Sequence, residues 1–112
     1  MGKHYLLNLY GCDFDVLDNE NYLKNLIKLA AETSGATVLE TISNKFNPHG
    51  VTAICLLAES HISIHTWPEK HLAVCDVFTC GDHTNPRSGA TYMYEAMGAK
   101  DISSEFITRK LE

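Results

Sequence analysis

The sequence predicts an α+β fold, a two-layer α/β sandwich in which two helices cover one face of a mostly antiparallel sheet. Hydrophobic residues make up 45% of its 112 residues, which is enough for one small core. Short β-branched or alternating segments recur along the chain, and two longer segments have the period of an amphipathic helix. The chain has no linker-like or low-complexity segment, so residues 1–112 are predicted to form a single domain.

The first half of the chain is predicted to hold three strands and one helix. Apolar residues spaced i, i+3, i+4, i+7 and i+8 predict the helix, and they are Leu23, Leu26, Ile27, Ala30 and Ala31. Asn19 or Asn21 caps its start, and Ser34-Gly35 stops it after about Thr33. The strands are expected at residues 4–10, 36–42 and 51–58, with a loop at 44–50. The third strand is nearly all apolar, which predicts burial on both faces or a central place in the sheet.

The second half of the chain is likewise predicted to hold three strands and one helix. Its strands are expected at residues 61–67, 72–79 and 102–109. Pro68 ends the first of them because proline cannot donate a ladder hydrogen bond. The helix is predicted from its cap (Thr84 or Asn85), from Pro86 at its first position, from the apolar stripe Ala90, Met93, Tyr94 and Met97, and from Gly98 at its end. Both helices are expected on one sheet face, which leaves the other face for a partner.

Composition narrows the class of protein. The formal net charge is −5, with 14 acidic against 9 basic residues, and no basic run is present, so no nucleic-acid or anionic-membrane partner is expected. No apolar run approaches the ~20 residues of a membrane span, and the N-terminus does not resemble a signal peptide. The expected location is therefore the cytoplasm, where the four cysteines would be free thiols.

Polar side chains gather on one strand in the middle of the chain. A period of two puts His61, Ser63 and His65 on one face, with two isoleucines on the other. Cys80 lies where a later strand ends beside Gly81, a position that often displays reactive side chains. These residues indicate a Ser/Cys/His site without naming a reaction. A zinc site is disfavoured because no Cys-x-x-Cys or other ligand spacing exists, and a Cys/His hydrolase lacks its nucleophile turn.

Residues 59–69, ESHISIHTWPE, resemble the signature of the short prokaryotic S-adenosylmethionine decarboxylases, which are pyruvoyl-dependent enzymes. The resemblance runs from His4 to the FTCG block at residues 78–81, so it covers nearly the whole chain. Its other blocks are DVLD at 15–18, SGAT at 34–37 and FNPHGV at 46–51. A long match with correctly placed outlying blocks is more specific than a lone short motif.

The resemblance implies a proenzyme that cuts itself between Glu59 and Ser60, giving residues 1–59 and 60–112. Ser60 attacks the preceding carbonyl, and β-elimination from the resulting ester leaves a covalent pyruvoyl group, which requires a β-heteroatom nucleophile that can also leave. His65 is the processing base by this resemblance. The pyruvoyl carbonyl would form an imine with the amine of S-adenosylmethionine, and Cys80 would reprotonate the α-carbon after carbon dioxide leaves.

The same resemblance implies the substrate contacts and the assembly. Phe46 and Trp67 would line the adenine or sulfonium region, because aromatic faces attract flat and cationic groups. Glu69 would accept hydrogen bonds from the ribose hydroxyls. The site would lie between the subunits of a homodimer, with Cys80 and the pyruvoyl group from one subunit and Phe46, His65 and Glu69 from the other. The product would be the aminopropyl donor for spermidine biosynthesis.

One position departs from the family's pattern. Thr52 stands where the family usually has a serine that assists processing. Threonine keeps the hydroxyl but adds a methyl group that restricts its χ1 angle, so slower or incomplete cleavage is expected. An unprocessed, non-catalytic homologue therefore stays open as an alternative. A pyruvoyl-dependent arginine or ornithine decarboxylase on the same scaffold is a second alternative, because the electron sink needs only an α-amino acid and few residues can retune a pocket.

Overall fold

A six-stranded sheet and three helices form the protein, and the computed structural model describes residues 1–111. In chain order the elements are β1 (Gly2–Tyr10), α1 (Phe14–Leu17), α2 (Glu20–Thr33), β2 (Val38–Lys45), β3 (Val51–Leu57), β4 (His61–Trp67), a 3-10 turn (Pro68–Lys70), β5 (Leu72–Cys80), α3 (Pro86–Ala96) and β6 (Asp101–Arg109). The two long helices lie on one side of the sheet, so the predicted α+β sandwich is confirmed.

The strand order is β2-β3-β4-β5-β1-β6, and every neighbouring pair is antiparallel. Strands β2 to β5 form a meander of successive neighbours. The N-terminal strand β1 then inserts between β5 and β6, which places β6 at the sheet edge with all nine of its residues exposed.

The predicted helix stripes form the core. All five residues of the α2 stripe are buried against the sheet. The Asn19 side chain accepts from Tyr22 N–H at 3.0 Å, so Asn19 rather than Asn21 is the cap of α2. In the same way Asn85 rather than Thr84 caps α3, accepting from Arg87 N–H at 3.1 Å. Fourteen- and eleven-residue helices are thus fixed at their starts by one asparagine each.

The predicted bounds of β2 are wrong at both ends. The strand begins at Val38, because Ala36 N–H bonds to Ala31 O at the end of α2 and Thr37 N–H bonds to a glutamate side chain. It continues to Lys45 because that residue still pairs with Val51 on β3. The residues expected to open the following loop are therefore part of the ladder.

The other differences between the predicted and observed elements are smaller. β1 begins at Gly2 rather than at residue 4, and β5 ends at Cys80. β3 does lie inside the sheet, but it is not buried on both faces, because Leu56 is 50% exposed on the side away from the helices. The four-residue helix α1 and the 3-10 turn were not predicted.

The sheet face opposite the helices, called the open face below, has no covering layer among residues 1–111. Strand alternation places on it the odd-numbered residues of β4, from His61 to Trp67, and their cross-strand partners. Ile42, Leu56 and Ile107 are exposed apolar residues of this face. No helix in the described part of the chain is long and apolar enough to cross a bilayer.

Candidate active site

The turn between β3 and β4 carries the predicted cleavage point. It consists of Ala58, Glu59 and Ser60, and it is closed by a hydrogen bond from Leu57 N–H to Ser60 O at 2.9 Å. Ala58 N–H bonds to Thr37 O at 3.0 Å, which ties the turn to the start of β2. The short loop therefore holds its backbone in a defined conformation.

Ser60 and Cys80 lie together at this end of the open face. The Ser60 hydroxyl is 3.9 Å from the sulfur of Cys80, the last residue of β5. Cys80 is partly exposed, whereas the other cysteines among residues 1–111 are buried. Burial raises the pKa of the thiols of Cys12, Cys55 and Cys75 above the ordinary value, which leaves them poor proton donors and poor nucleophiles.

The Glu59 side chain packs against the protein, where its carboxylate contacts Thr37 and His83. Its carboxylate accepts hydrogen bonds from Thr37 N–H at 3.0 Å, from the Thr37 hydroxyl at 3.4 Å and from His83 Nε2 at 2.7 Å. The Thr37 N–H, and after it the His83 imidazole, hold the pKa of Glu59 below its usual range. We call these three residues, Glu59, Thr37 and His83, the turn anchor.

Thr52 and His65 form a second pair on the open face. They are directly opposite each other on β3 and β4, and Thr52 Oγ1 lies 3.0 Å from His65 Nδ1. A hydroxyl in this place fixes the rotation of the imidazole and leaves Nε2 free to act as a base or acid. The two predicted processing residues are therefore in direct contact.

A cavity of about 280 Å³ lies beside this pair. The predicted residues on its wall are Phe46, Thr52, His65, Trp67 and Glu69, and they are joined there by His49, Gly50 and Thr66. The two aromatic side chains are exposed to solvent, Phe46 by 49% and Trp67 by 40%. Their free faces offer a surface on which a planar or cationic group can stack.

His49 was not singled out from the sequence. Its Nε2 donates to Glu69 Oε2 at 3.2 Å, and Phe14 packs edge-on against its ring with the centroids 5.4 Å apart. The only signal was its place in the FNPHGV block, which gives no role for the imidazole. The contact holds the Glu69 carboxylate at the cavity wall.

Asp18 anchors the loop that carries Phe46 and His49. Its carboxylate accepts from Gly50 N–H at 2.8 Å and pairs with Lys45 Nζ at 2.9 Å. The Gly50 N–H, and after it the Lys45 ammonium, hold the pKa of Asp18 below its usual range. Gly50 has a φ of 112°, a conformation that favours glycine, so the loop depends on this residue type.

The predicted site residues thus form two separate groups at opposite ends of the open face. His61 pairs with Phe78 near Ser60 and Cys80, whereas His65 pairs with Val74 four residues farther along β4. At a rise of about 3.3 Å per residue, four residues span about 13 Å. His65 therefore cannot reach Ser60 of its own chain without unfolding β4.

Between the two groups the open face carries a polar cluster. Asp76 accepts from His4 Nε2 at 3.1 Å and from the Ser63 hydroxyl at 3.2 Å. Phe78 contacts the rings of both His4 and His61, with centroids 5.1 and 5.8 Å apart. Residues 1–111 contain no group of three or more His, Cys, Asp or Glu side chains that could hold a metal ion.

Comparison with known proteins decides the family. A model of the S-adenosylmethionine decarboxylase family matches residues 3–110. The chain belongs to this family. Family membership makes the protein a decarboxylase, an enzyme of the carboxy-lyase class, and confirms the resemblance first noted in residues 59–69.

Relatives and a solved structure agree with this assignment to the S-adenosylmethionine decarboxylases. The chain is 52% identical to the S-adenosylmethionine decarboxylase proenzyme of Synechococcus sp. (strain WH7803), over 88% of this chain and 77% of the relative. It is 50% identical to that of Prochlorococcus marinus (strain MIT 9313), over 98% of this chain and 88% of the relative. The crystal structure of the adenosylmethionine decarboxylase from Aquifex aeolicus superposes with a TM-score of 0.92 at 38% identity, covering 100% of this chain and 92% of that one.

Proposed function

We propose that this chain is the proenzyme of a pyruvoyl-dependent S-adenosylmethionine decarboxylase that cuts its own backbone between Glu59 and Ser60. The observation that carries the proposal is the place of Ser60. It lies in the tight β3–β4 turn with its hydroxyl 3.9 Å from Cys80 Sγ, in a chain whose curated relatives are named as proenzymes. A serine is required because the group that attacks must also be eliminated.

The proposed self-cleavage conserves atoms in three steps. The Ser60 hydroxyl adds to the Glu59 carbonyl, and the C–N bond breaks to give an ester and a free amine. A base removes the Ser60 α-proton, and elimination releases the carboxylate of Glu59. Water then replaces the nitrogen, which leaves as ammonia, and residue 60 retains a pyruvoyl group.

His65 and Thr52 supply the proton transfers in this proposal. The Thr52 hydroxyl at 3.0 Å from His65 Nδ1 fixes the rotation of the ring, so Nε2 is the nitrogen proposed to exchange protons. A histidine suits the step because its imidazole changes protonation state near neutral pH. The contact between the two side chains supports a shared role.

Cys80 is the proposed proton donor to the substrate carbon. The pyruvoyl group supplies the carbonyl that takes up the substrate amine and accepts electrons when carbon dioxide leaves. Cys80 is suited to return the proton, since it lies beside residue 60 and is the partly exposed cysteine of the described chain.

The cavity beside Thr52 and His65 is the proposed nucleoside site. Phe46 and Trp67 present exposed aromatic faces to a flat adenine or a sulfonium cation. Glu69, oriented by His49, is placed to accept hydrogen bonds from ribose hydroxyls. Arginine and ornithine have no adenine or ribose, so these residues favour S-adenosylmethionine as the substrate.

A second copy of the chain completes the proposed site. Ser60 and Cys80 lie at one end of the open face, and His65 on the cavity wall lies five residues, or about 16 Å, from Ser60 along the chain. A twofold dimer through the open faces would bring one group of each chain against the other group of its partner. The exposed apolar residues Ile42, Leu56 and Ile107 support burial of this face.

The proposal includes a cytoplasmic location and a role in spermidine biosynthesis. The four cysteines among residues 1–111 are free thiols, which suits a reducing compartment. The decarboxylated product of S-adenosylmethionine carries an aminopropyl group, and the role proposed for it is that of donor in spermidine synthesis.

Intact-mass spectrometry of freshly purified protein, reduced and denatured, tests the proposal. We expect two species, corresponding to residues 1–59 and 60–112, the second with a blocked N-terminus. A Ser60→Ala variant is the control and should remain one chain. Release of carbon dioxide is then measured with S-adenosylmethionine, arginine and ornithine. A wild-type chain that never cleaves, or one that acts on arginine alone, would contradict the proposal.

A further inference from the structure

We propose that His83 is a positioning residue for self-cleavage, acting through its hydrogen bond to the Glu59 carboxylate. The inference deepens the proposed function and depends on it. Its basis is the turn anchor, in which one side chain of the scissile pair is bound by residues from two distant parts of the chain, Thr37 before β2 and His83 after β5.

The turn anchor constrains Glu59, the residue of the β3–β4 turn that takes no part in the backbone hydrogen bonds closing the turn. The closing bonds of the β3–β4 turn are made by Leu57, Ala58 and Ser60. Glu59 is held instead through its side chain, and its carbonyl carbon is the atom that Ser60 must attack. Attack requires close approach and correct alignment, and small displacements of the reacting groups are costly in rate.

His83 covers the outer side of this anchor. The Glu59 side chain is only 11% exposed, whereas that of His83 is 59% exposed. The Nε2–Oε2 distance of 2.7 Å is the shortest of the three contacts to the carboxylate. Without the imidazole, the Glu59 carboxylate would face water on this side. Its hydrogen bonds from Thr37 would then compete with hydrogen bonds from water.

The loop between β5 and α3, residues 81–85, positions the imidazole of His83 for this contact. Gly81 has a φ of 97°, and a Cβ there would lie 2.9 Å from His83 Cε1, so the glycine makes room for the ring. The Thr84 hydroxyl bonds to the carbonyls of Cys80 and Gly81 at 3.2 and 3.0 Å, which closes the loop. A ring that is already in place loses little entropy when it binds.

The loop also couples the two halves of the proposed chemistry. It starts directly after Cys80, the proposed proton donor, and it ends at the cap of α3. Cleavage would leave Thr37 on residues 1–59 and His83 on residues 60–112. The imidazole therefore connects the fragments across the cut, beside the newly formed chain end.

The test follows the cleavage rate of newly synthesised chains in a cell-free translation reaction, sampled over time by mass spectrometry. We expect His83→Ala to cleave about three- to tenfold more slowly than wild type. His83→Gln should recover most of the rate, because its amide nitrogen can donate from a similar place. Asp82→Ala, in the same exposed loop, is the matched control and should cleave like wild type.

A double-mutant cycle separates positioning from a general effect on folding. In a Glu59→Gln background, His83→Ala should change the rate less than twofold, because the charged partner is already lost. Thermal unfolding of the uncut Ser60→Ala chain, with and without His83→Ala, should give nearly equal midpoints.

The outcomes are distinguishable. A wild-type chain that stays uncut overturns the proposed function itself. A wild type that cleaves normally while His83→Ala matches it overturns only the role of His83. Equal slowing by His83→Ala in the wild-type and Glu59→Gln backgrounds also overturns that role. So does a His83→Gln chain that is as slow as His83→Ala, if His83→Ala also lowers the unfolding midpoint of the uncut Ser60→Ala chain strongly.

Discussion

Thr52 and His65 face each other across β3 and β4, and this contact decides how the departure from serine at position 52 should behave. The Thr52 hydroxyl already lies 3.0 Å from Nδ1, so its extra methyl group does not prevent the hydrogen bond. The expected handicap of threonine is therefore its restricted χ1 angle during the reaction rather than a missing contact.

Substitutions at Thr52 test the role of its contact with His65. Thr52→Val removes the hydroxyl at nearly constant shape and should slow self-cleavage about tenfold, because His65 loses the group that orients it. Thr52→Ser keeps the hydroxyl and should cleave at least as fast as wild type. Both rates are measured by the same mass-spectrometric time course, and a valine variant with the wild-type rate would exclude a role for the contact.

Asp18 gives a second prediction at this scale, in the dependence of stability on pH. Its pKa is lowered in the folded protein by Gly50 N–H and Lys45, so its ionised form stabilises the fold. This contribution is complete above the unfolded value of about 4 and is lost as the pH falls through the lower folded value.

Melting curves between about pH 6 and pH 2.5 measure this contribution, with the uncut Ser60→Ala chain as the background. At pH 6 the Asp18→Asn chain should melt at a lower temperature than its parent. The difference between the two melting temperatures should shrink as the pH falls. Glu59 titrates with the same sign in both chains, so the difference between the two curves isolates Asp18. A difference that does not change with pH would show that the charge of Asp18 has no part.

Helices α2 and α3 pack closely at one point, which sets the prediction at the element scale. A Cβ added at Gly89 would clash with the Ser34 side chain and lie 2.9 Å from Ala30 O. Ser34 Oγ also bonds to Ala30 O at 2.9 Å, so the obstructing atoms are fixed at the end of α2. Gly89 is therefore required for the approach of the two helices.

Gly89→Ala should destabilise the protein although alanine favours helix formation. Overpacking costs about 1–3 kcal/mol, and the gain in helix propensity is about 1 kcal/mol. Because Ala30 O is a backbone atom that cannot turn aside, the cost lies in the upper part of this range. The expected net loss of about 1–2 kcal/mol is measured by urea unfolding of the uncut Ser60→Ala chain. Thr91→Ala, on the exposed side of α3, is the control and should be neutral or slightly stabilising. A Gly89→Ala chain as stable as its parent would contradict the packing argument.

The elements differ in how far the sequence predicts them. Helix α2 was predicted well, because an asparagine cap, five stripe residues and a glycine stop agree with one another. The start of β2 was missed because Thr37 N–H binds a side chain 22 residues away, which no local pattern indicates. Helix α1 has four residues, too few for a helical period to be visible.

The candidate site shows the same division. Ser60, His65 and Cys80 could be proposed from the sequence because they belong to long motif blocks whose chemistry needs those residue types. His49 and His83 were not singled out, since each contacts a carboxylate from another part of the chain, at sequence separations of 20 and 24. Strand order was equally hidden, because alternation indicates faces and not neighbours.

At the scale of the whole molecule, the open face carries both groups of candidate site residues. The helices bury the other face, and the two groups lie at opposite ends of the sheet surface that remains free. In the proposed dimer, a twofold axis through this face would relate one end of each chain to the other end of its partner. A monomer would separate Ser60 from His65 by five residues, or about 16 Å, and should not cleave.

Mixing two inactive chains tests this arrangement. A Ser60→Ala chain keeps His65 but lacks the serine needed for cleavage. A His65→Ala chain keeps Ser60 but lacks the proposed base. In a mixed dimer one of the two sites has both groups, so co-synthesis should restore cleavage of the His65→Ala chain. Random pairing of equal amounts places about half of these chains in mixed dimers, so about half should be cut.

Each variant synthesised alone is the control for this mixing experiment, and a mass tag on one chain shows which of the two is cleaved. Cleavage confined to the His65→Ala chain is the pattern that a shared site requires, because only that chain retains the serine. If neither chain is cut in the mixture while wild type is cut normally, His65 acts within its own chain. That outcome would require β4 to open before cleavage, since the folded strand keeps the two groups apart.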